Sequence, residues 1–239
     1  MQIRVYEELM MNAWVSLNSR FYDGWVMCFS NGHSHRGNSV HPLNPSTLDL
    51  EAKLDFCEQV YRAAELPPMF KLTPEYETIE SLVASRGYTL EAKTFVQTHP
   101  LNRPVSAPNF EYVLEPTITA GWFDDYGTLV GKANDHTWKM FNGIMPQQVY
   151  GRLIVDGRAV AIGRAVLERG YLGIYDIATA PYMRRQGLGQ AMTERLLEWG
   201  QASGARTSYL MVEEVNLAAR SLYAKKGFQT VYAYWYRRA

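Results

Sequence analysis

The stretch APYMRRQGLGQAM, Ala180 to Met192, places Gly187 and Gly189 behind two arginines, Arg184 and Arg185, and at the mouth of an amphipathic helical pattern. A helix start presents backbone N–H groups that lack intrahelical partners, together with the positive end of the helix dipole. Glycines there let an anion, most often a phosphate, approach the main chain. The turn lacks G-x-x-x-x-G-K-[ST], since Gln190 and Ala191 stand where Lys and Ser or Thr would follow, and its glycines do not fit G-x-G-x-x-G. Nucleoside triphosphate and dinucleotide readings lose support on that ground. What remains is R-x-x-G-x-G: Arg184, Gly187 and Gly189.

The turn needs elements that aim it. GRLIVDGRAVAIGRAVLERGYLGIYDIAT alternates apolar and polar residues around two turn signals, Asp156-Gly157 and Arg169-Gly170, and predicts a three-stranded antiparallel meander whose last strand feeds the turn. Ahead of it, Thr119 to Asn142 reads as mostly helical, broken into pieces by Gly121, Gly127 and Gly131. HPLNRPVSAPN, His99 to Asn109, carries three prolines and reads as a linker. In the first half, GWVMCFS reads as a strand, and Leu48 to Ala64 as a helix with apolar Leu50, Leu54, Cys57 and Tyr61 at three- and four-residue steps. A second helix around Thr78 to Ser85 and a strand YTLEAKTFVQ follow.

The two halves overlay. SLYAKKGFQT, from Ser221, lies over SLVASRGYTL, from Ser81, 140 residues earlier. The same offset puts Arg184, Gly187 and Gly189 on Asn44, Thr47 and Asp49. The first half therefore has the scaffold without the cradle, because a carboxylate at that helix start repels an anion. Ser46 or Thr47 with Asp49 reads as an ordinary N-cap.

Ile177-Ala178-Thr179-Ala180-Pro181 through Gly189 matches L-A-V-x-P-x-x-R-x-x-G-x-G with Ile in place of Leu and Thr in place of Val, and so resembles the GNAT superfamily of acyl-CoA-dependent N-acetyltransferases. About 25 residues on, Asn216, Ala219, Leu222, Tyr223, Lys225, Gly227 and Phe228 are similar to a second signature of that family, N-x-x-A-x-x-L-Y-x-K-x-G-F. The resemblance covers Phe110 to Tyr236 and, in weakened form, the first half. It implies an α+β fold with a central twisted, mostly antiparallel sheet flanked by helices, in two tandem GNAT-like halves. Residues 1–99 would form a degenerate, non-catalytic half, with Val83 where the second half has Tyr223. Residues 100–109 would be the linker and 110–239 the catalytic domain.

The resemblance also implies a site. Backbone N–H groups of Gln186, Gly187, Leu188, Gly189 and Gln190 would converge on the pyrophosphate of coenzyme A, with Arg184 or Arg185 adding charge and Asn216 and Ala219 on the second signature. The strand Tyr175 to Thr179 would splay from Ser208 to Val212 and pair with the pantetheine arm, and an N–H near Ile177 or Ala178 would polarise the thioester carbonyl. Tyr223 would be the acid that protonates the departing thiolate, and Asp176 the nearest candidate base, with Glu213, Glu214 or a water relay as alternatives. The activity implied is acetyl transfer from acetyl-CoA to a primary amine, on a small molecule or on a protein N-terminus or lysine. A non-catalytic acyl-CoA sensor is the alternative. A GNAT domain usually adds a seventh strand where this chain stops. The expectation is that the first half covers the edge so exposed, in one version by donating a strand.

Composition agrees with a globular protein: 47% hydrophobic and 20% charged residues over 239 positions. Lys plus Arg equals Asp plus Glu at 24 each, so no global field attracts nucleic acid or an anionic membrane. Two cysteines, Cys28 and Cys57, lie in apolar contexts and read as buried thiols. Glu7 and Glu8 stand where a signal peptide would be basic, and no apolar run suits a membrane helix, so the expected location is cytoplasmic, as a monomer or homodimer. His33, His35 and His41 lack nearby Cys or carboxylates and read as loop or pocket lining, so no metal is expected. VYAYWYRR reads as an aromatic strand ending in solvated Arg237 and Arg238.

Overall fold

The computed structural model describes residues 3–239. The elements run α1 (Ile3–Ala13), β1 (Asn18–Tyr22), β2 (Trp25–Phe29), β3 (Val40–Pro42), α2 (Leu50–Ala63), β4 (Met69–Leu72), α3 (Glu77–Ser85) and β5 (Thr89–Pro100) in the first half. The second half carries β6 (Glu111–Glu115), α4 (Ala120–Val130), α5 (Asp135–Asn142), β7 (Gln147–Val155), β8 (Arg158–Glu168), β9 (Tyr171–Thr179), α6 (Leu188–Ala202), β10 (Thr207–Glu213), α7 (Leu217–Lys225) and β11 (Gln229–Arg238). Helices α3 and α7 begin 140 residues apart, as the internal overlay requires.

Two compact units emerge. One holds the chain up to Val96 with Val212–Leu217 and Thr230–Ala239; the other holds Gln97–Met211 and Ala218–Gln229. In the first unit β1, β2, β3 and β4 lie side by side, and β11 pairs antiparallel with β4 from Trp235↔Leu72 to Arg238↔Met69. The final strand of the chain thus completes the sheet of the first unit. Trp25, Leu54, Cys57, Tyr61, Phe70, Leu72 and Val83 form the core under that sheet.

Long-range pairing corrects one local expectation. Arg237 is no solvated end: its side chain is 17% exposed, its Nε donates to Glu80 Oε1 at 3.0 Å and its Nη1 to the Tyr88 carbonyl at 3.1 Å. Its partner Glu80 lies 157 residues away, beyond the reach of any local pattern. His41 is likewise buried, its Nε2 3.0 Å from the Arg36 carbonyl oxygen, which can only accept, so that nitrogen carries the proton.

In the second unit the order is β10-β9-β8-β7-β6. Strands β7, β8 and β9 form the antiparallel meander, turned at Asp156-Gly157 and Arg169-Gly170, where all four residues have positive φ. Helices α4 and α5 are separated by Gly131 at φ 75. Residues 101–110 contain no helix or strand, and Gln201 straps them down: its Oε1 accepts from Val105 N at 2.9 Å, and its Nε2 donates to the Leu101 and Arg103 carbonyls. Among the described residues no helix is long and apolar enough to cross a membrane, and no group of His, Cys, Asp and Glu has the arrangement of a metal site.

Burial holds the His41 imidazole down at about 3, against 6.5 for an exposed ring. The unfolded chain therefore binds a proton below pH 6.5 that the native state refuses until about pH 3, so stability falls as pH falls through that window. Urea unfolding at pH 7 and pH 4.5 should show a loss of about 2 to 3 kcal/mol from this residue, and His41→Gln should flatten that part of the slope. An unchanged slope in the variant would count against a neutral buried His41.

Candidate active site

The second unit assembles the turn at the end of β9. After Thr179 a short 3-10 turn, Pro181–Met183, leads to Arg184 in extended conformation. Arg185 at φ 61 and Gly187 at φ 79 then wind the chain left-handedly into α6. Gly187 is the N-cap, no side chain caps the helix, and its carbonyl accepts the first helical bond from Ala191 at 2.9 Å. The N–H groups of Leu188, Gly189 and Gln190 thus begin the helix without an i−4 partner. A Cβ on Gly187 would meet nothing within 4 Å, so the turn is open; Arg184, Arg185 and Gln186 beside it are exposed. Gly189 answers a different demand, for its Cβ would lie 3.3 Å from Thr179 Oγ1 and 3.8 Å from both Ile177 and Leu222. That one position ties β9, α6 and α7 together.

The matching turn of the first unit solves the same problem internally. Asp23 Oδ2 accepts from Thr47 N at 2.9 Å and Leu48 N at 3.0 Å, the positions that overlay Gly187 and Leu188, while Asp49 caps α2 from Ala52 N at 3.0 Å. Hydrogen bonds, first that of the Thr47 hydroxyl, hold the Asp23 carboxyl far below the usual carboxylate range. The ammonium of fully buried Lys53 sits 3.1 Å from the same oxygen and 3.9 Å from the centre of the Trp25 ring. Of the cap expected from Ser46 or Thr47 with Asp49, Asp49 itself is the N-cap of α2, while Ser46 and Thr47 lie in the loop ahead of it, where Asp23, absent from the sequence expectations, takes the Thr47 and Leu48 amides.

β9 carries a bulge next to the turn. Arg164 pairs with Tyr175 and Ile162 with Ala178, leaving Gly163 opposite both Asp176 and Ile177. Asp176 takes φ 54, and its Oδ2 accepts from Arg164 Nε at 2.5 Å. Ile177 turns toward α6: a Cβ on Gly163 would lie 2.5 Å from Ile177 Cδ1 and 3.0 Å from Leu196 Cδ1. On the other edge of β9 the parallel ladder with β10 runs from Thr207↔Tyr171 to Leu210↔Ile174, and β9 continues through Thr179 beyond that last rung. This is the divergence expected of Tyr175 to Thr179.

Tyr223 lies on α7 with 8% exposure, its ring 5.8 Å from that of Phe228. Burial alone pushes its phenol up to about 12. Ala219 is half-buried on the same helix. Asn216 sits in the Val212–Leu217 segment with Glu213 and Glu214, outside the compact unit that holds the other expected site residues. Arg164 was not among the expected residues, although its charge in the apolar run AIGRAVL was a signal that a buried partner had to exist.

Residues 1–237 match the family described as "Probable histone acetyltransferase Rv0428c C-terminal". The chain is 26% identical over 98% of its length to an uncharacterized N-acetyltransferase, YobR, of Bacillus subtilis, of which the match covers 98%. A 70-residue stretch is 40% identical to the [ribosomal protein bS18]-alanine N-acetyltransferase of Escherichia coli, covering 29% of this chain and 46% of that protein. Among solved structures, a GCN5-related N-acetyltransferase from Kribbella flavida superposes with a TM-score of 0.73 at 15% identity, over 98% of this chain and 94% of that one. A tandem GNAT protein from the clavulanic acid biosynthesis pathway superposes with a TM-score of 0.68 at 14% identity, over 84% and 74%. With the family matched over nearly every residue and the tandem GNAT architecture in place, the chain belongs to the Rv0428c C-terminal family and is an acetyltransferase of the GNAT superfamily.

Proposed function

We propose that the chain transfers an acetyl group from acetyl-CoA to a primary amine, at one site per chain in the second half. The observation that carries this reading is the uncapped start of α6, with Gly187 open to solvent and arginines beside it. Amide N–H groups and guanidinium are the donor set a pyrophosphate requires, and none of it calls for a metal. Gln186 to Gln190 would hold the pyrophosphate through their backbone, and Arg184 and Arg185 would add charge. The first half would bind no acyl-CoA, because Asp23 already takes the corresponding amides and buried Val83 stands in place of Tyr223. On this reading residues 1–99 are a non-catalytic domain, 100–109 a connector and 110–239 the catalytic part.

Beyond the last β9/β10 rung, Ile177, Ala178 and Thr179 would run beside the pantetheine arm and offer an N–H to the thioester carbonyl. The amine reaches the site without its extra proton, which passes to solvent or a carboxylate. As the amine nitrogen bonds the acetyl carbon and the carbon–sulfur bond breaks, the Tyr223 hydroxyl gives its proton to the sulfur, the nitrogen releases its surplus proton to water, and a proton from water restores the phenol. The water-poor surroundings that raise the phenol also penalise a thiolate, so their difference in acidity governs the transfer. The relatives support one acceptor class. The bS18 enzyme is named for a protein alanine and the family for histones, which favours amines on proteins, met in the cytoplasm.

Calorimetric titration of acetyl-CoA and ATP into the full chain tests the cradle. Acetyl-CoA should bind and ATP should not compete, while Gly187→Glu should weaken acetyl-CoA binding by about 100-fold or more through carboxylate repulsion and the φ 79 conformation. Tight ATP binding or an indifferent Gly187→Glu would remove the reading. For the acid, Tyr223→Phe should leave acetyl-CoA affinity intact and lower kcat by about 100-fold, measured as CoA thiol release with a panel of alanyl and lysyl peptides. The loss should be the same from pH 6 to 9.5, because a phenol held at about 12 does not titrate there.

A further inference from the structure

Five side chains form one connected group where β9 leaves β10, and neither sequence signature includes them as a unit. Arg164 has a side chain 1% exposed, and a buried guanidinium without a carboxylate would be prohibitive. Asp176 supplies the carboxylate through the 2.5 Å contact with Arg164 Nε. The guanidinium carbon also lies 4.6 Å from the ring centres of both Phe141 and Tyr175. The Tyr175 hydroxyl meets the Tyr209 hydroxyl at 2.7 Å, with the rings perpendicular at 6.2 Å. Tyr209 sits opposite Gly173, one rung before the ladder ends at Leu210↔Ile174. Only glycine fits at 173, because a Cβ there would come within 2.5 Å of the Tyr175 ring and 2.7 Å of the Tyr209 ring.

This arrangement decides backbone geometry. A strand pairing straight through Asp176 would shift by one residue everything after it, and Ile177 would exchange faces with its neighbours. Asp176 instead adopts φ 54, a strained conformation for a non-glycine residue, and the ion pair with Arg164 offsets that strain while swinging the carboxylate to the face of Phe141 and Tyr175. The bulge then leaves Ile177 on the α6 face, where Gly163 makes room. We infer that Arg164 is a positioning residue for acetyl transfer: through Asp176 it fixes the bulge that aims the Ile177 and Ala178 backbone, while Tyr175 and Tyr209 fix where β9 and β10 part. Asp176 acts through the backbone it bends, not as the proton acceptor. This rests on the reading that acetyl-CoA lies along β9.

The test uses the full chain with CoA and acetyl-CoA as probes, read by calorimetry and by amide hydrogen exchange of the segment 175–179. In the wild type, saturating acetyl-CoA should slow exchange there by about ten-fold or more. Arg164→Met and the near-isosteric Asp176→Asn should each speed exchange without ligand by about ten-fold and abolish protection by acetyl-CoA, with CoA affinity within about three-fold of wild type because the phosphate cradle is untouched. The double variant should be no worse than either single variant, since both remove one interaction, and Arg164→Lys should be intermediate. Circular dichroism melts establish that each variant is folded. Wild-type exchange in folded Asp176→Asn, or losses that add in the double variant, would overturn the proposal. A wild type that binds neither CoA nor acetyl-CoA would instead overturn the cradle reading, and the link from the bulge to transfer with it.

Discussion

Two residues of β9 facing one residue of β8 set the geometry of the second half. Asp176 and Ile177 share the space opposite Gly163, and that surplus turns one side chain toward α4 and α5 and the next toward α6. Without it β9 would pair regularly and enter α6 at another angle, and Gly189 could not lie against Thr179, Ile177 and Leu222. The entry into α6 and the approach of α7 hang on this irregularity, while β9 leaves β10 just before it, where the Tyr175 and Tyr209 hydroxyls meet. Its cost is a positive φ at an aspartate and a buried arginine, and the ion pair between the two side chains offsets both.

The two halves show one physical problem answered twice. Any strand-to-helix turn of this type leaves several amide donors without partners. The first half answers from within: Asp49 accepts from Ala52 N, Asp23 takes the Thr47 and Leu48 amides just ahead of the helix, and the carboxylate of Asp23 is balanced by fully buried Lys53, whose ammonium burial pushes downward. The second half leaves the equivalent donors to whatever arrives from solution. A turn closed by its own carboxylate is a structural joint; a turn left open, with two arginines exposed beside it, has the donors that the proposed function assigns to an external anion.

Local signals were legible in the sequence. The glycine turn, the position of each meander turn, the break between α4 and α5 at Gly131 and the 140-residue repeat all depend on residues close together in the chain or on a fixed offset, and all appear in the fold. The longer-range partnerships were not. Asp23 reaches residues 24 and 25 positions ahead, Arg237 finds Glu80 across 157 positions, and β11 completes the sheet of the first unit. Asp176 read as a candidate base because its type suits that role, whereas its partner Arg164 lies 12 residues back on another strand. Period and propensity say which residues face inward, but not which buried charge will meet which.

An apolar pair would fill the space of Arg164 and Asp176 as well as the ions do, and buried ion pairs often stabilise no more than such a substitute. What an apolar pair lacks is direction. A guanidinium 4.6 Å from the ring centres of both Phe141 and Tyr175 offers its Nε along one line, and a carboxylate must lie on that line to be satisfied. The backbone that carries the carboxylate is therefore fixed to within a hydrogen-bond length, where a greasy contact would let it slide. A site that must aim one or two backbone N–H groups at a small carbonyl has more use for that restraint than for additional packing energy.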